Sequence, residues 1–194
     1  MNFSKPGYLV RHSIVTVLAV VGLLISMVAW SEEAPPELFD YIPTLKKWGD
    51  DPTLIAAVKS QNAMNMTLDA IKARDQQWLN FSGVDDGMQA LMNNAAAQRL
   101  REFEQQEPFF VELFLMDNQG ANVAMTNKTS DYWQGDEDKF IESYKGGKGD
   151  VHVGDVEFDE SAQAYLVQVS VPIMDGGRAI GALTIGINLD EFLQ

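Results

Sequence analysis

The sequence predicts an α+β fold in which long N-terminal helices pack on a five-stranded antiparallel sheet. Three observations predict it. Between Glu37 and Gln106 the apolar residues recur at helical spacing. From Phe110 onward the period changes to two, as in strands whose side chains alternate between faces. Turn chemistry then punctuates the second half, at Asp117-Asn118-Gln119-Gly120, Asp159-Glu160-Ser161 and Asp175-Gly176-Gly177.

The elements follow in order. Residues 1–31 read as a targeting segment. Lys5, Arg11 and His12 precede an apolar run from Ile14 to Trp30, and Glu32 and Glu33 follow it. Positive charge before and negative charge after places the remainder outside the cytoplasm, in the periplasm. Ala29 and Ser31 suit a cleavage site after Ser31, so a cleaved signal peptide is favoured slightly over a retained membrane anchor. The helical part is expected over residues 32–109 and the sheet over 110–194. Glu37–Trp48 forms a helix disturbed by Pro43. Asp51 caps the next helix, with Pro52 at its first position and Leu54, Ile55 and Val58 as its stripe. Thr67 caps a helix carrying Leu68, Ile71, Trp78 and Leu79, which Phe81-Ser82-Gly83 breaks. A third helix covers Asp85–Gln106, with Met88, Met92, Leu100 and Phe103 facing the core, and Pro108 stops it.

Strands are predicted at Phe110–Met116, Asn122–Thr126, Val151–Phe158, Ala164–Met174 and Ala179–Leu189. A polar and aromatic loop, Asn127 to Gly135, and a short helix, Glu137–Tyr144, separate the second from the third. In the last hairpin Tyr165, Val167, Val169 and Val171 share a face, as do Leu183, Ile185, Ile187 and Leu189. That face is apolar enough to pack on the N-terminal helices. The opposite face carries Gln168, Ser170, Ala182, Thr184, Gly186 and Asn188, which are small or mildly polar. It leaves a hollow that the loop roofs with Tyr132 and Trp133, the geometry of a small-molecule pocket.

Composition narrows the function. The chain has 194 residues, 46% of them hydrophobic, which suits one domain plus a targeting segment. The formal charge is −14, and setting aside residues 1–31 leaves 12 basic against 28 acidic residues, or −16. Such a surface repels phosphate backbones, so nucleic acid is not an expected partner. The chain has no cysteine, which excludes disulfides and thiol chemistry. His152 is the one histidine beyond the targeting segment, and no nucleophile–base set or metal-ligand spacing accompanies it. Gly146-Gly147-Lys148-Gly149 lacks the full phosphate-loop motif and reads as a turn. No catalytic residue, metal site or cofactor is expected.

The candidate ligand residues each carry two readings. Tyr132 and Trp133 wall the pocket or anchor the loop on the core. Lys128, Thr129 and Ser130 meet a carboxylate or form a solvated, capping loop. Asp131 receives an amine or caps a turn. Asp155 binds an ammonium group or sits exposed on a bulge. Gln168, Ser170, Thr184 and Asn188 floor the pocket or face water.

The order of these elements, with Val111 to Gly120, Thr129 to Glu137, Val153-Gly154-Asp155-Val156, Val169 to Ile173 and Ile180 to Leu189, resembles the extracytoplasmic PAS-like sensor domains called Cache or PDC domains. The resemblance covers residues 35–194 and is similar to a stand-alone exported version with one such module. It implies a small-metabolite ligand (an amino acid, organic acid or amine) and a separate membrane receptor or signalling partner. The chain lacks the Arg-x-Trp-Tyr arrangement of many amino-acid-binding members, so ligand class stays open, as does oligomeric state. A ligand-free envelope module that docks on a receptor or enzyme is the alternative.

Overall fold

The computed structural model describes residues 33–159 and 163–194, together with Met1. The expected targeting segment and most of the Asp159-Glu160-Ser161 turn lie outside the described residues.

Pro43 resolves the predicted helix Glu37–Trp48 into a 3-10 turn, Pro36–Asp40, and helix α1, Ile42–Trp48. The proline falls in the first turn of α1, where its missing N–H breaks no helical bond. Helix α2, Pro52–Asn62, starts where expected, and the Asp51 carboxylate accepts from the Thr53 and Leu54 amides at 2.9 and 3.3 Å. Thr67 caps α3, Leu68–Leu79, by accepting from the Ala70 amide. The single helix expected over Asp85–Gln106 is two, α4 (Asp86–Asn93) and α5 (Ala95–Glu104). Between them Asn94 is extended, and its side chain accepts from the Ala97 amide at 2.8 Å. An asparagine that can bond the backbone this way competes with helix continuation.

The sheet comprises β1 (Phe110–Met116), β2 (Asn122–Met125), β3 (His152–Asp159), β4 (Ala164–Asp175) and β5 (Arg178–Asn188), in the order β2-β1-β5-β4-β3. Every neighbouring pair is antiparallel. Helix α6, Asp138–Tyr144, lies in the crossover from β2 to β3. Leu189 opens a last short helix, α7 (Leu189–Phe192), rather than closing β5, because the Asn188 side chain caps it. The expected α+β architecture is therefore present.

The sheet buries both faces. On one, Leu113, Leu115, Val167, Val169, Val171, Leu183, Ile185 and Ile187 pack on Leu45, Trp48, Leu54, Val58, Leu100 and Phe103, as the strand parity predicts. Trp48 stacks on Phe103 with ring centroids 4.4 Å apart. The backbone comes closest where Gly49 meets β4. A Cβ there would lie 2.2 Å from the Pro172 carbonyl oxygen, and the Met174 amide donates to the Gly49 carbonyl. Pro172 is tolerated in a long strand because β3 pairs with β4 only up to Ser170.

On the other face α3 and α4 contribute Ile71, Trp78 and Met88, which pack with Phe114, Met116, Met125, Tyr132, Phe140 and Ala182. The N-terminal helices thus flank the sheet instead of covering one side. Tyr165 shares parity with Val167 but is 47% exposed. It belongs to the β3–β4 end beyond the packed valines, where it stands edge-to-face with Phe158 at 5.2 Å.

Candidate ligand-binding site

Strand register arranges the second face in rows. Phe114, Thr184 and Ser170 stand opposite one another across β1, β5 and β4, and Glu112, Gly186 and Gln168 form the next row. The first row is closed. Ser170 and Thr184 are fully buried and share a hydrogen bond of 2.8 Å. Tyr132 itself packs in a buried cluster with Trp78, Met88, Met125 and Phe114, so the hollow expected beneath it is filled. In the second row Glu112 and Gln168 border open space, while Gly186 between them is buried and lets Glu112 approach closely. A Cβ there would lie 3.2 Å from that of Glu112.

A trough runs over this second row. One half, about 470 Å³, lies between the sheet and the loop, with Val111, Asn127, Lys128, Thr129, Ser130 and Gln134 around it. The other half, about 550 Å³, extends to β3 and is lined by Gly154, Asp155, Glu157, Glu137 and His152 among others. The halves share Glu112, Lys139, Asp159, Leu166 and Gln168 as lining, so they adjoin. Both volumes suit a small ligand.

The loop over the first half is held from within. The Asp131 carbonyl accepts from Asn122 Nδ2 at 3.1 Å, Thr129 Oγ1 at 2.7 Å and Gln134 Nε2 at 3.1 Å. Asp75, on α3, accepts the Tyr132 and Trp133 amides at 3.0 and 3.1 Å. Trp78 Nε1 donates to the Thr129 carbonyl and Trp133 Nε1 to the Gln119 carbonyl. The loop also crosses the β1–β2 turn closely. Gly120 has φ +82°, and a Cβ on it would approach Gly135 Cα to 2.5 Å.

The electrostatics of the trough centre on Glu112. Burial pushes its carboxyl above the usual 4.5, while the Lys139 ammonium pulls it back. Lys139 is itself paired with Glu137 at 2.8 Å. Among the described residues two buried side-chain atoms lack a hydrogen-bond partner, Asn122 Oδ1 and Gln134 Oε1. Gln134 is 1% exposed and lines the first half.

The candidate residues divide accordingly. Lys128, Ser130 and Gln168 line the first half, and Asp155 and Gln168 the second. Lys128 Nζ donates to the Phe81 and Gly83 carbonyls. Asp131 serves the loop through its carbonyl. Tyr132 is buried against Trp78, with ring centroids 5.7 Å apart, and burial pushes its hydroxyl up to about 12. Trp133 is half-buried with Lys72 Nζ 4.4 Å from its ring centre. Ser170 and Thr184 satisfy each other, and Asn188 caps α7. Asp131, Tyr132, Trp133, Ser170, Thr184 and Asn188 therefore stand outside the trough lining. Glu112, Lys139, Gln134 and Asp159 line it and were not among the candidates. Glu112 had a signal, being the one charge in the apolar strand Phe110–Met116.

The trough holds acceptors, a few donors and one histidine. Among the described residues no group of His, Cys, Asp or Glu is placed to hold a metal ion, and no helix is long and apolar enough to cross a membrane.

A family model described as methyl-accepting chemotaxis protein-like, first PDC sensor domain, matches residues 89–194. A search of curated proteins finds no match. Among solved structures, the sensor domain of the V. cholerae histidine kinase DctB is similar at 11% identity and TM-score 0.43, covering 80% of this chain and 50% of that one. The ligand-binding domain of a Pseudomonas aeruginosa amino acid chemoreceptor in complex with GABA is similar at 12% identity and TM-score 0.36, covering 78% and 61%. The sensory domain of a Campylobacter jejuni chemoreceptor with isoleucine bound matches at 18% identity and TM-score 0.36, covering 81% and 65%. The chain thus spans half to about two thirds of the length of these solved chains.

Proposed function

Because the chain belongs to the methyl-accepting chemotaxis protein-like, first PDC sensor domain family, we propose that it is an exported, extracytoplasmic sensor module that binds a small metabolite in the trough and reports to a separate membrane partner. The family is one of extracytoplasmic sensor domains rather than enzymes. The observation that carries the reading is the Glu112–Gly186–Gln168 row. In it Glu112 and Gln168, on either side of a buried glycine, both border open space beside a loop whose backbone is anchored to buried side chains. A ligand bridging floor and loop favours whichever loop arrangement it contacts best, and that differential affinity is the signal.

The test is a thermal-shift screen of the full-length protein with amino acids, carboxylates and amines. A ligand at a hundredfold excess over its Kd stabilises by about 2.7 kcal/mol. At this chain length that is a rise of several degrees in Tm. Gln168→Ala and Asp155→Ala are expected to shrink the rise. A melting point indifferent to every class of ligand would remove the reading.

A second reading, docking without a ligand, draws support from the filled hollow beneath Tyr132 and from the exposed pair Phe158 and Tyr165, 50% and 47% accessible. It predicts capture of an envelope protein without added metabolite, lost in Phe158→Ser and Tyr165→Ser.

A further inference from the structure

Two of the residues that line the first half of the trough carry an acceptor without a donor. Glu112 projects from β1 into both halves, and no described residue gives its carboxylate a hydrogen bond or an ion pair. Its nearest compensation is the field of Lys139, which is engaged with Glu137. Gln134 spends its Nε2 on the Asp131 carbonyl, and its buried Oε1 is unpaired. A half-buried acid and a buried amide oxygen are both costly when unmatched. Both are matched by the same chemistry, an N–H-rich cation.

The second half carries the sign further. Six acids line it, Glu112 and Asp159 included, against Lys139 alone. No cation there is left over to receive a carboxylate. In the first half Lys128 is turned to the Phe81 and Gly83 carbonyls.

We infer that the trough recognises a small organic diamine, with one ammonium group between Glu112 and Gln134 and the other toward the acids of β3, and that it discriminates against carboxylates. The inference rests on the sensor reading and names the ligand class of that same site. The acids alone would be a solvated cluster. The orphaned Gln134 oxygen and the unpaired Glu112 in one trough distinguish them from that.

The test is calorimetric titration of the full-length protein with putrescine, butylamine, GABA and succinate, which share a four-carbon chain and differ only in their end groups. Putrescine is expected to bind tightest. Butylamine should be weaker by about tenfold, the value of one charged hydrogen bond, and GABA and succinate weaker again. Glu112→Gln and Gln134→Leu should each weaken putrescine by about tenfold or more. Glu112→Gln preserves shape, and its melting curve checks that the fold is intact. Glu112→Lys should abolish putrescine binding.

Tighter binding of GABA or succinate than of putrescine would overturn the diamine assignment while leaving the sensor reading in place. So would wild-type putrescine affinity in folded Glu112→Gln. Failure of all four probes, with other metabolites shifting the melting point, would also overturn it. Failure of every metabolite would instead remove the sensor reading itself.

Discussion

Asp75 carries more of the site than its place on α3 announces. It is 8% exposed, and one of its oxygens accepts both the Tyr132 and the Trp133 amide. Two backbone donors turned away from water need an acceptor, and this carboxylate supplies it. Asp75→Ala leaves both amides unmatched and is expected to cost about 1–3 kcal/mol, measured by urea unfolding. Asp75→Asn keeps an oxygen in place and should lose less. In Asp75→Ala, amide exchange at Tyr132 and Trp133 should accelerate well beyond that of β5, since only the loop is released. Single residues were the least legible part of the sequence. A tyrosine and a tryptophan in a polar loop read equally as pocket wall or core anchor, and the deciding partners, Trp78 and Asp75, lie more than fifty residues upstream. Glu112 was passed over for the opposite reason. Its strand reads as plain core, and only the cross-strand register places that one charge beside Gly186 and Gln168.

At the level of elements the local signals were mostly sufficient. Asp51-Pro52 and Thr67 start helices where side-chain chemistry requires, and the change from helical to alternating period falls at Phe110. The largest departure was at Asn94. The helical stripe runs on through Met92, Ala95 and Leu100, so periodicity alone carries a helix across it. The asparagine side chain instead caps α5 and reaches the Val123 carbonyl with its Nδ2 at 2.9 Å. Asn94→Ala removes both bonds and is expected to cost about 0.5–2 kcal/mol for the cap, with a further loss at β2. Chemical denaturation measures it, and Asn94→Asp should recover the cap but not the bond to Val123. The α1–α2 junction is a stiffer constraint. At Gly49 any side chain meets the Pro172 carbonyl, so Gly49→Ala must push the junction off β4. Overpacking of that kind costs about 1–3 kcal/mol, and the Met174 amide should lose its exchange protection with it.

The whole molecule is acidic, and its carboxyls do not all pull the same way with pH. Burial raises Glu112 above 4.5, where Lys139 opposes the rise and the fields of Asp159, Glu104 and Glu137 reinforce it. Burial also raises Glu104, against its bond from Thr126 and the Arg101 field. A carboxyl whose folded value is raised binds its proton more tightly in the native state. Its stabilising contribution is complete below the unfolded value and is lost as pH rises through the folded one. Asp85 does the reverse. Arg74 holds it at 2.9 and 2.8 Å and the Met88 amide adds a third bond, so its carboxyl falls from 3.8 to about 2. Asp150 moves the same way beside Lys145. Their contributions are present above the unfolded value and disappear as pH falls through the folded one. Stability should therefore rise on acidifying from neutral toward pH ~4.5 and fall again toward pH ~2. Relief of self-repulsion in a chain of net charge −14 gives a rise of the same sign, so the wild-type curve alone does not isolate the half-buried Glu112 and Glu104. The variants do. Glu112→Gln and Glu104→Gln together should flatten the rise between neutral and mildly acid pH and leave the acid limb unchanged, whereas Asp85→Asn should soften the acid limb alone. Urea midpoints across that range measure both. An unflattened rise in the double variant would assign the acid stabilisation to surface charge and return Glu112 to an ordinary solvated acid.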